Sequence, residues 1–273
     1  MKTILVPVDF SSTAENAAEY AAEFAKYLKA KLILLHVYSV PVPVADVPIT
    51  TIIPLEEIEK ENIKRLKAFN KTLNHKYPGI ETEMITRIGF VVEEILMMIE
   101  ERNSDLVIMG LSGESKAKGI FGSNTTTVIK KAKCPVLTIP PGLKFKKPEK
   151  IALACDYSAI VPDEVVNKFK EYVSLFGAKV LVFDVLRRAE LVTYQKAAAE
   201  VNLENSLVDV GHSLYYPSGD NLPEEANSFI ERQNADMLVM IPHNYTFFQS
   251  LFHRSATKQM AFQSKVPLLT IHE

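Results

Sequence analysis

Cysteine is scarce in this chain: among 273 residues there are two, Cys134 and Cys155. Both sit in or beside strand-like apolar runs, and neither stands at metal-ligand spacing from a histidine. They read as buried structural thiols of a reducing compartment. No apolar run approaches the roughly 18 residues of a membrane span. The apolar stretch within Met1 to Asp9 is too short for a signal core and is closed by an acid. Net charge is only −2, which offers no global attraction for nucleic acid or an anionic membrane. These absences predict a soluble, cytoplasmic protein with neither a nucleic-acid nor a membrane partner.

Several catalytic signatures are missing too. The lack of Gly-x-x-x-x-Gly-Lys-Ser/Thr argues against a P-loop NTPase, and no Gly-x-Gly-x-x-Gly follows the first strand to suggest a dinucleotide site. No serine sits in a nucleophile elbow. The paired acids Glu56-Glu57, Glu93-Glu94 and Glu224-Glu225 fall in helical segments and read as solvated faces. No catalytic residue and no metal ligand is assigned on these grounds.

What is present is an α/β alternation. Thr3 to Val8 and Lys31 to Val37 are buried-strand runs, separated by an alanine-rich helical segment from Thr13 to Ala30. Ser39 to Pro54 carries Pro41, Pro43, Pro48 and Pro54, so it is no regular helix. It can be a lid or a partner-binding surface. Leu55 to His75 reads as a surface helix, Glu81 to Ile88 as a strand, and Val91 to Arg102 as a helix. Asp105 to Met109 is a strand, Thr126 to Ala132 a short helix, and Pro135 to Ile139 a closing strand. Strands alternating with helices predict a doubly wound parallel sheet.

The proline- and lysine-rich stretch from Pro140 to Pro148 interrupts this pattern and reads as a linker. Beyond it the programme repeats. Asp9-Phe-Ser11 is echoed by Asp156-Tyr-Ser158, Asn103-Ser-Asp105 by Asn234-Ala-Asp236, and Pro135 to Ile139 by Pro267 to Ile271. The blocks recur in order, which predicts a tandem duplication with residues 1–141 and 149–273 as domains and 142–148 as linker.

Ligands of doubly wound sheets bind at the carboxyl ends of the strands, where strand order reverses. Met109-Gly-Leu-Ser-Gly113 through Phe121-Gly-Ser-Asn-Thr125 lies between a strand and a helix N-terminus, the arrangement of an anion site. Ser123 is the expected N-cap. Asp9 can accept hydrogen bonds from a ribose, hold a metal, or cap the helix that follows. Val37 offers apolar surface to a purine face, and His36 reads as a satisfied core histidine. Lys116 and Lys118 can meet phosphates or stay solvated.

In the second half Ile241 and Asn244 replace Gly110 and Gly113, and Arg254 replaces Gly122. His243, His253 and Arg254 there can form another polar site or remain loop surface. A fold built twice, once without these glycines, suggests that the glycines serve a ligand. The second half then reads as scaffold.

The opening Ile4 to Ser11, the Leu34-Leu-His-Val37 strand end, the Met-Gly-x-x-Gly and Gly-Ser loop, and the closing Cys134 to Ile139 resemble the signature blocks of the universal stress protein (UspA-like) family. The likeness spans the chain, one domain per half. It implies two tandem doubly wound domains, each a five-stranded parallel sheet flanked by helices, of the adenine nucleotide alpha hydrolase-like type. It also implies a stress-response regulatory role and a site for ATP or a related adenine nucleotide such as ADP or AMP, with or without Mg²⁺.

By that resemblance Pro7, Asp9 and Val37 lie about the adenosine, and Met109, Gly110 and Gly113 along ribose and phosphate. Gly122, Ser123, Asn124 and Thr125 cradle the phosphates. Any ATP hydrolysis or autophosphorylation is expected to be slow. The closing strands of the two halves are expected to pair as an intramolecular pseudo-dimer, which leaves room for a further homodimer and an unidentified protein partner. One departure bears on phosphate preference: the stretch from Glu114 to Phe121 is one residue shorter than is usual in the family. A competing reading from another class is a nucleotide-independent interaction module that uses the proline-rich loop and the aromatic Ile241 to Arg254 loop.

Overall fold

The computed structural model describes residues 1–40, 54–111, 123–155, 157, 160–184, 193–216, 222–241 and 265–271. Its first half runs β1 (Thr3–Pro7), α1 (Ser12–Leu28), β2 (Lys31–Tyr38), α2 (Leu55–Lys76), β3 (Glu81–Ile88), α3 (Val91–Glu101), β4 (Leu106–Gly110), α4 (Ser123–Lys131) and β5 (Val136–Ile139). The second half runs β6 (Lys150–Ala154), α5 (Asp163–Phe176), β7 (Lys179–Phe183), α6 (Tyr194–Ser206), β8 (His212–Tyr215), α7 (Leu222–Gln233), β9 (Met237–Met240) and β10 (Leu268–Thr270).

The ten strands among the described residues form one sheet in the order β3-β2-β1-β4-β5-β10-β9-β6-β7-β8. Within each half every pairing is parallel. The seam is antiparallel, with Leu268 opposite Thr138 and Thr270 opposite Val136. The closing strands therefore pair as the family resemblance implied, and Thr138 Oγ1 donates to the Leu268 carbonyl across the seam at 3.3 Å.

The strands are apolar on both faces because helices cover both. Ile4, Val6, Leu32, Leu34, Leu106 and Ile108 meet α1 and α2 on one side. The alternate residues Leu5, Ile33, Leu35, Val107 and Met109 meet α3 and α4 on the other. That alternation is the two-residue period of an extended chain. Across the seam the two halves touch through α1 and α5. The Phe24 and Phe176 rings lie 5.9 Å apart, Tyr27 stacks on Phe176 at 6.2 Å, and the Tyr27 hydroxyl donates to the Leu175 carbonyl.

The repeated Asn-x-Asp block has a structural use in both halves. Asn103 and Asn234 adopt left-handed backbone, φ 46° and 53°, where helices α3 and α7 end, a conformation asparagine tolerates better than most residues. The aspartate two residues on then pins the first strand of its half. Asp105 Oδ2 accepts from the Lys2 and Thr3 amides, and Asp236 Oδ2 from those of Glu149 and Lys150. Residues 140–149 run without helix or strand, yet Leu143 and Phe145 pack against the core.

Candidate functional site

Strand order reverses between β1 and β4: from β1 the chain goes outward to β2 and β3, and from β4 it goes the other way to β5. The loops leaving these two strands diverge and leave a crevice at their carboxyl ends. A cavity of about 160 Å³ lies there.

One wall is apolar, from Leu35 and Val37 on β2, Val91 at the start of α3, and Met109 on β4. The β1–α1 turn supplies Pro7, Val8, Asp9, Ser11, Thr13 and Ala14, and the start of α4 supplies Asn124 and Thr125. Of the residues expected from sequence, the fold thus gathers Pro7, Asp9, Val37, Met109, Gly110, Asn124 and Thr125 around one cavity. Gly113, Gly122, Lys116 and Lys118 lie outside the described residues, as do residues 41–53 of the proline-rich loop and His243, His253 and Arg254.

The β1–α1 turn is tightly bonded. Asp9 Oδ1 accepts from the Ser11 amide at 3.0 Å and from the Ser11 hydroxyl at 2.6 Å. Ser11 is the N-cap of α1, its Oγ accepting from the Ala14 amide. Asp9 therefore supports the cap from two positions back, and its exposed carboxylate keeps Oδ2 without a partner among the described residues. Between them Phe10 is held at φ 64°, an unfavourable conformation for a bulky side chain. Its ring is held by His36 at 4.4 Å, by Phe69, and by the Arg65 guanidinium 4.5 Å above its centroid. His36 is the satisfied core histidine expected: Nδ1 meets the Val8 carbonyl at 2.8 Å and Nε2 meets Asn62 Oδ1 at 2.9 Å.

Helix α4 begins at Ser123, three residues earlier than the periodicity suggested. Asn124 and Thr125 consequently belong to its first turn, where amides have no intrahelical acceptor. That turn, like the first turn of α6, holds no acidic residue, whereas the first turns of α2, α3, α5 and α7 each hold two. Its partial positive charge is left for something else to offset. Thr125 is buried, and its hydroxyl donates to the Gly110 carbonyl at 3.4 Å.

Gly110 requires a correction to the reading of the repeat. A Cβ there would stand 2.5 Å from the Thr13 carbonyl oxygen, so the first half does need a glycine for α1 to approach β4. In the second half, where Ile241 takes this position, α5 is 14 residues long against 17 for α1, with the shortfall at its N-terminal end. The repeat therefore does not isolate a ligand role for this glycine.

Sequence reasoning missed Ser11, Thr13, Leu35 and Val91. Leu35 was accessible, since it lies two residues before Val37 and so shares its sheet face. The thiols are as expected: both are buried and neither is in a disulfide, and burial pushes Cys134 up to about 12, which leaves it inert. Among the described residues there is no group of three or more metal-ligating side chains, and no helix is long and apolar enough to cross a membrane.

A family model described as the universal stress protein family matches residues 1–140. A universal stress protein of Methanocaldococcus jannaschii is 37% identical over 157 residues, covering 50% of this chain and 94% of that protein. Another, from Synechocystis, is 26% identical over 298 residues and covers 99% of both chains. The crystal structure of a universal stress protein from Archaeoglobus fulgidus superimposes with a TM-score of 0.73 at 21% identity, covering 98% of this chain and 97% of that one. Fold, crevice and family match agree: the chain belongs to the universal stress protein family.

Proposed function

We infer that this protein is a stress-response regulator which binds ATP or a related adenine nucleotide in the crevice between β1 and β4. The observation that carries this reading is the convergence there of three kinds of surface suited to one ligand. Leu35, Val37 and Met109 form an apolar wall for a purine face. Asp9 Oδ2, unpaired among the described residues, can accept from a ribose hydroxyl. The acid-free start of α4 presents amides to a phosphate. In this reading Ser123 and the glycines at 113 and 122 complete the phosphate end, with Mg²⁺ as an optional companion of the phosphates.

Residues 149–273 act as a scaffold domain joined to residues 1–141 through 142–148. Two replacements favour that division. Ile241 stands in place of Gly110, and Phe183 in place of Leu35, stacked on Phe229 with centroids 4.4 Å apart. Apolar bulk thus occupies the second half where the first has its cleft. Regulation in the cytoplasm then works through nucleotide-dependent contacts with a protein partner, and hydrolysis is slow or absent.

The test is chemical analysis of nucleotide released from purified, heat-denatured protein, paired with phosphate release from ATP in Mg²⁺. Stoichiometric adenylate without phosphate release above buffer supports the reading. Protein free of adenylate that also fails to take up any when it is added removes it.

A further inference from the structure

His36, near the end of β2, is surrounded by acceptors. Its ring is 6% exposed and lies by Phe10 at 4.4 Å and Tyr38 at 6.1 Å, which leaves little room for water. Nδ1 stands 2.8 Å from the Val8 carbonyl, and Nε2 stands 2.9 Å from Asn62 Oδ1 on α2. The Asn62 amide is itself oriented, because its Nδ2 donates to the Ile58 carbonyl at 2.8 Å.

Both ends of this chain of bonds are backbone carbonyls, which can only accept. Val8 therefore requires a proton on Nδ1. Ile58 requires the nitrogen of the Asn62 amide, which leaves oxygen facing Nε2 and requires a proton there as well. A neutral imidazole carries one N–H and meets only one of these demands. Turning the amide over does not help, since Oδ1 would then stand against the Ile58 carbonyl. Only the imidazolium makes all three bonds at once.

The charges around the ring are mixed, so these bonds decide its state. In the β1–α1 turn Asp9 follows Val8, its carboxylate bonded to Ser11. From α2, Glu59 acts on the Tyr38 hydroxyl, and Arg65 lies 4.5 Å from the Phe10 centroid. The α1 residues in this core, among them Ala17, Ala18 and Ala21, bring no charge. On β3 the uncharged Thr86 is the register partner of His36. Glu83 and Arg87 belong to the other face of that strand, where they pair with Lys31, Arg102 and Glu101.

We propose that His36 is a proton-operated latch between the β1–α1 turn and α2. Protonated, it holds both. On losing a proton it releases either Asn62 or the Val8 carbonyl. Val8 lines the crevice beside Asp9, so the latch also regulates nucleotide affinity, a consequence that rests on the adenine-nucleotide reading of that crevice. Affinity is highest at mildly acid pH and falls as pH rises.

The latch is tested without ligand. Nitrogen NMR spectra of the His36 ring, assigned by its loss in His36→Gln, are expected to show both nitrogens protonated at pH 6 and one at pH 9. Over that interval the parent loses about fivefold in its folding constant relative to Asn62→Leu, the ratio one net hydrogen bond supplies, because that variant offers Nε2 no acceptor. Whichever of ATP, ADP and AMP binds is expected to weaken about fivefold more in the parent than in Asn62→Leu, a comparison in which titration of the nucleotide itself cancels. A neutral ring at pH 6, or an Asn62→Leu stability profile parallel to the parent's, would overturn the latch. Equal pH profiles of affinity in the two proteins, with a ring that does titrate, would overturn its regulatory role. A parent that binds none of the three at any pH overturns the adenine-nucleotide reading instead, and the ring spectra separate that case because they need no ligand.

Discussion

The Thr13 carbonyl oxygen lies 2.5 Å from where a Cβ on Gly110 would stand, and the Thr13 carbonyl carbon lies 2.8 Å away. Backbone cannot give way as a flexible side chain can, so this contact ties the start of α1 to the end of β4. It also sets the width of the crevice, since Thr13 and Gly110 both line it. Gly110→Ala is expected to lower stability by about 1–3 kcal/mol through overpacking, seen as a lower denaturant midpoint with an unchanged slope. A variant as stable as the parent would show that α1 has freedom the contact denies it. Because this substitution moves α1, loss of ligand binding in it says nothing decisive about where the ligand sits.

The two aspartate latches predict a specific acid response. Burial raises the Asp105 carboxyl, but hydrogen bonds from the Lys2 and Thr3 amides outweigh it and hold the group below its usual range. Asp236 is treated likewise by burial, the Glu149 amide, Lys146 and the Lys150 amide. A carboxyl depressed by folding contributes stability that is fully present above its unfolded value of about 3.9 and is lost as pH falls through the folded value. Asp105→Asn and Asp236→Asn should therefore destabilise at pH 7 and flatten the loss of stability below about pH 4. Denaturant titrations at pH 7, 5 and 3 measure this. A mutant whose acid limb is as steep as the parent's would count against the latches.

Phe145 joins linker to fold through three ring contacts. Phe145→Ala is expected to cost about 1–3 kcal/mol, at or below the range for a core phenylalanine because the residue is only half-buried. The continuous ten-stranded sheet and the α1–α5 contact predict that parent and variant each melt in a single transition. A separate early transition in the variant, seen by calorimetry, would mean the halves are held together mainly by the linker.

Much of this architecture was legible because its signals are local. Apolar runs at strand length, the alanine-rich stretch that became α1, and the in-order repeat led directly to the doubly wound sheet, while its seam was expected from the family resemblance. The crevice was legible in part, since Asp9, Val37 and Gly110 stand at strand ends whatever the details of packing. What escaped depends on how elements approach one another. The need for glycine at 110 arises from α1, a segment about a hundred positions earlier, and no local pattern reports it. The Asn-x-Asp blocks were visible as a repeat, but their use as helix stop and strand latch requires the left-handed φ of Asn103 and the position of Lys2. Thr125 was expected among phosphate ligands, and its bond to Gly110 became visible only when α4 was seen to begin at Ser123.

The most direct measurement of the central claim is calorimetric titration of ATP, ADP and AMP into the parent protein and into Val37→Trp, which fills the crevice from a half-buried position on its apolar wall. The account predicts one saturable site in the parent for at least one of the three nucleotides, and affinity reduced at least about tenfold in a variant that melts as the parent does. Absence of binding by all three to the parent, or binding that Val37→Trp leaves intact, would contradict it.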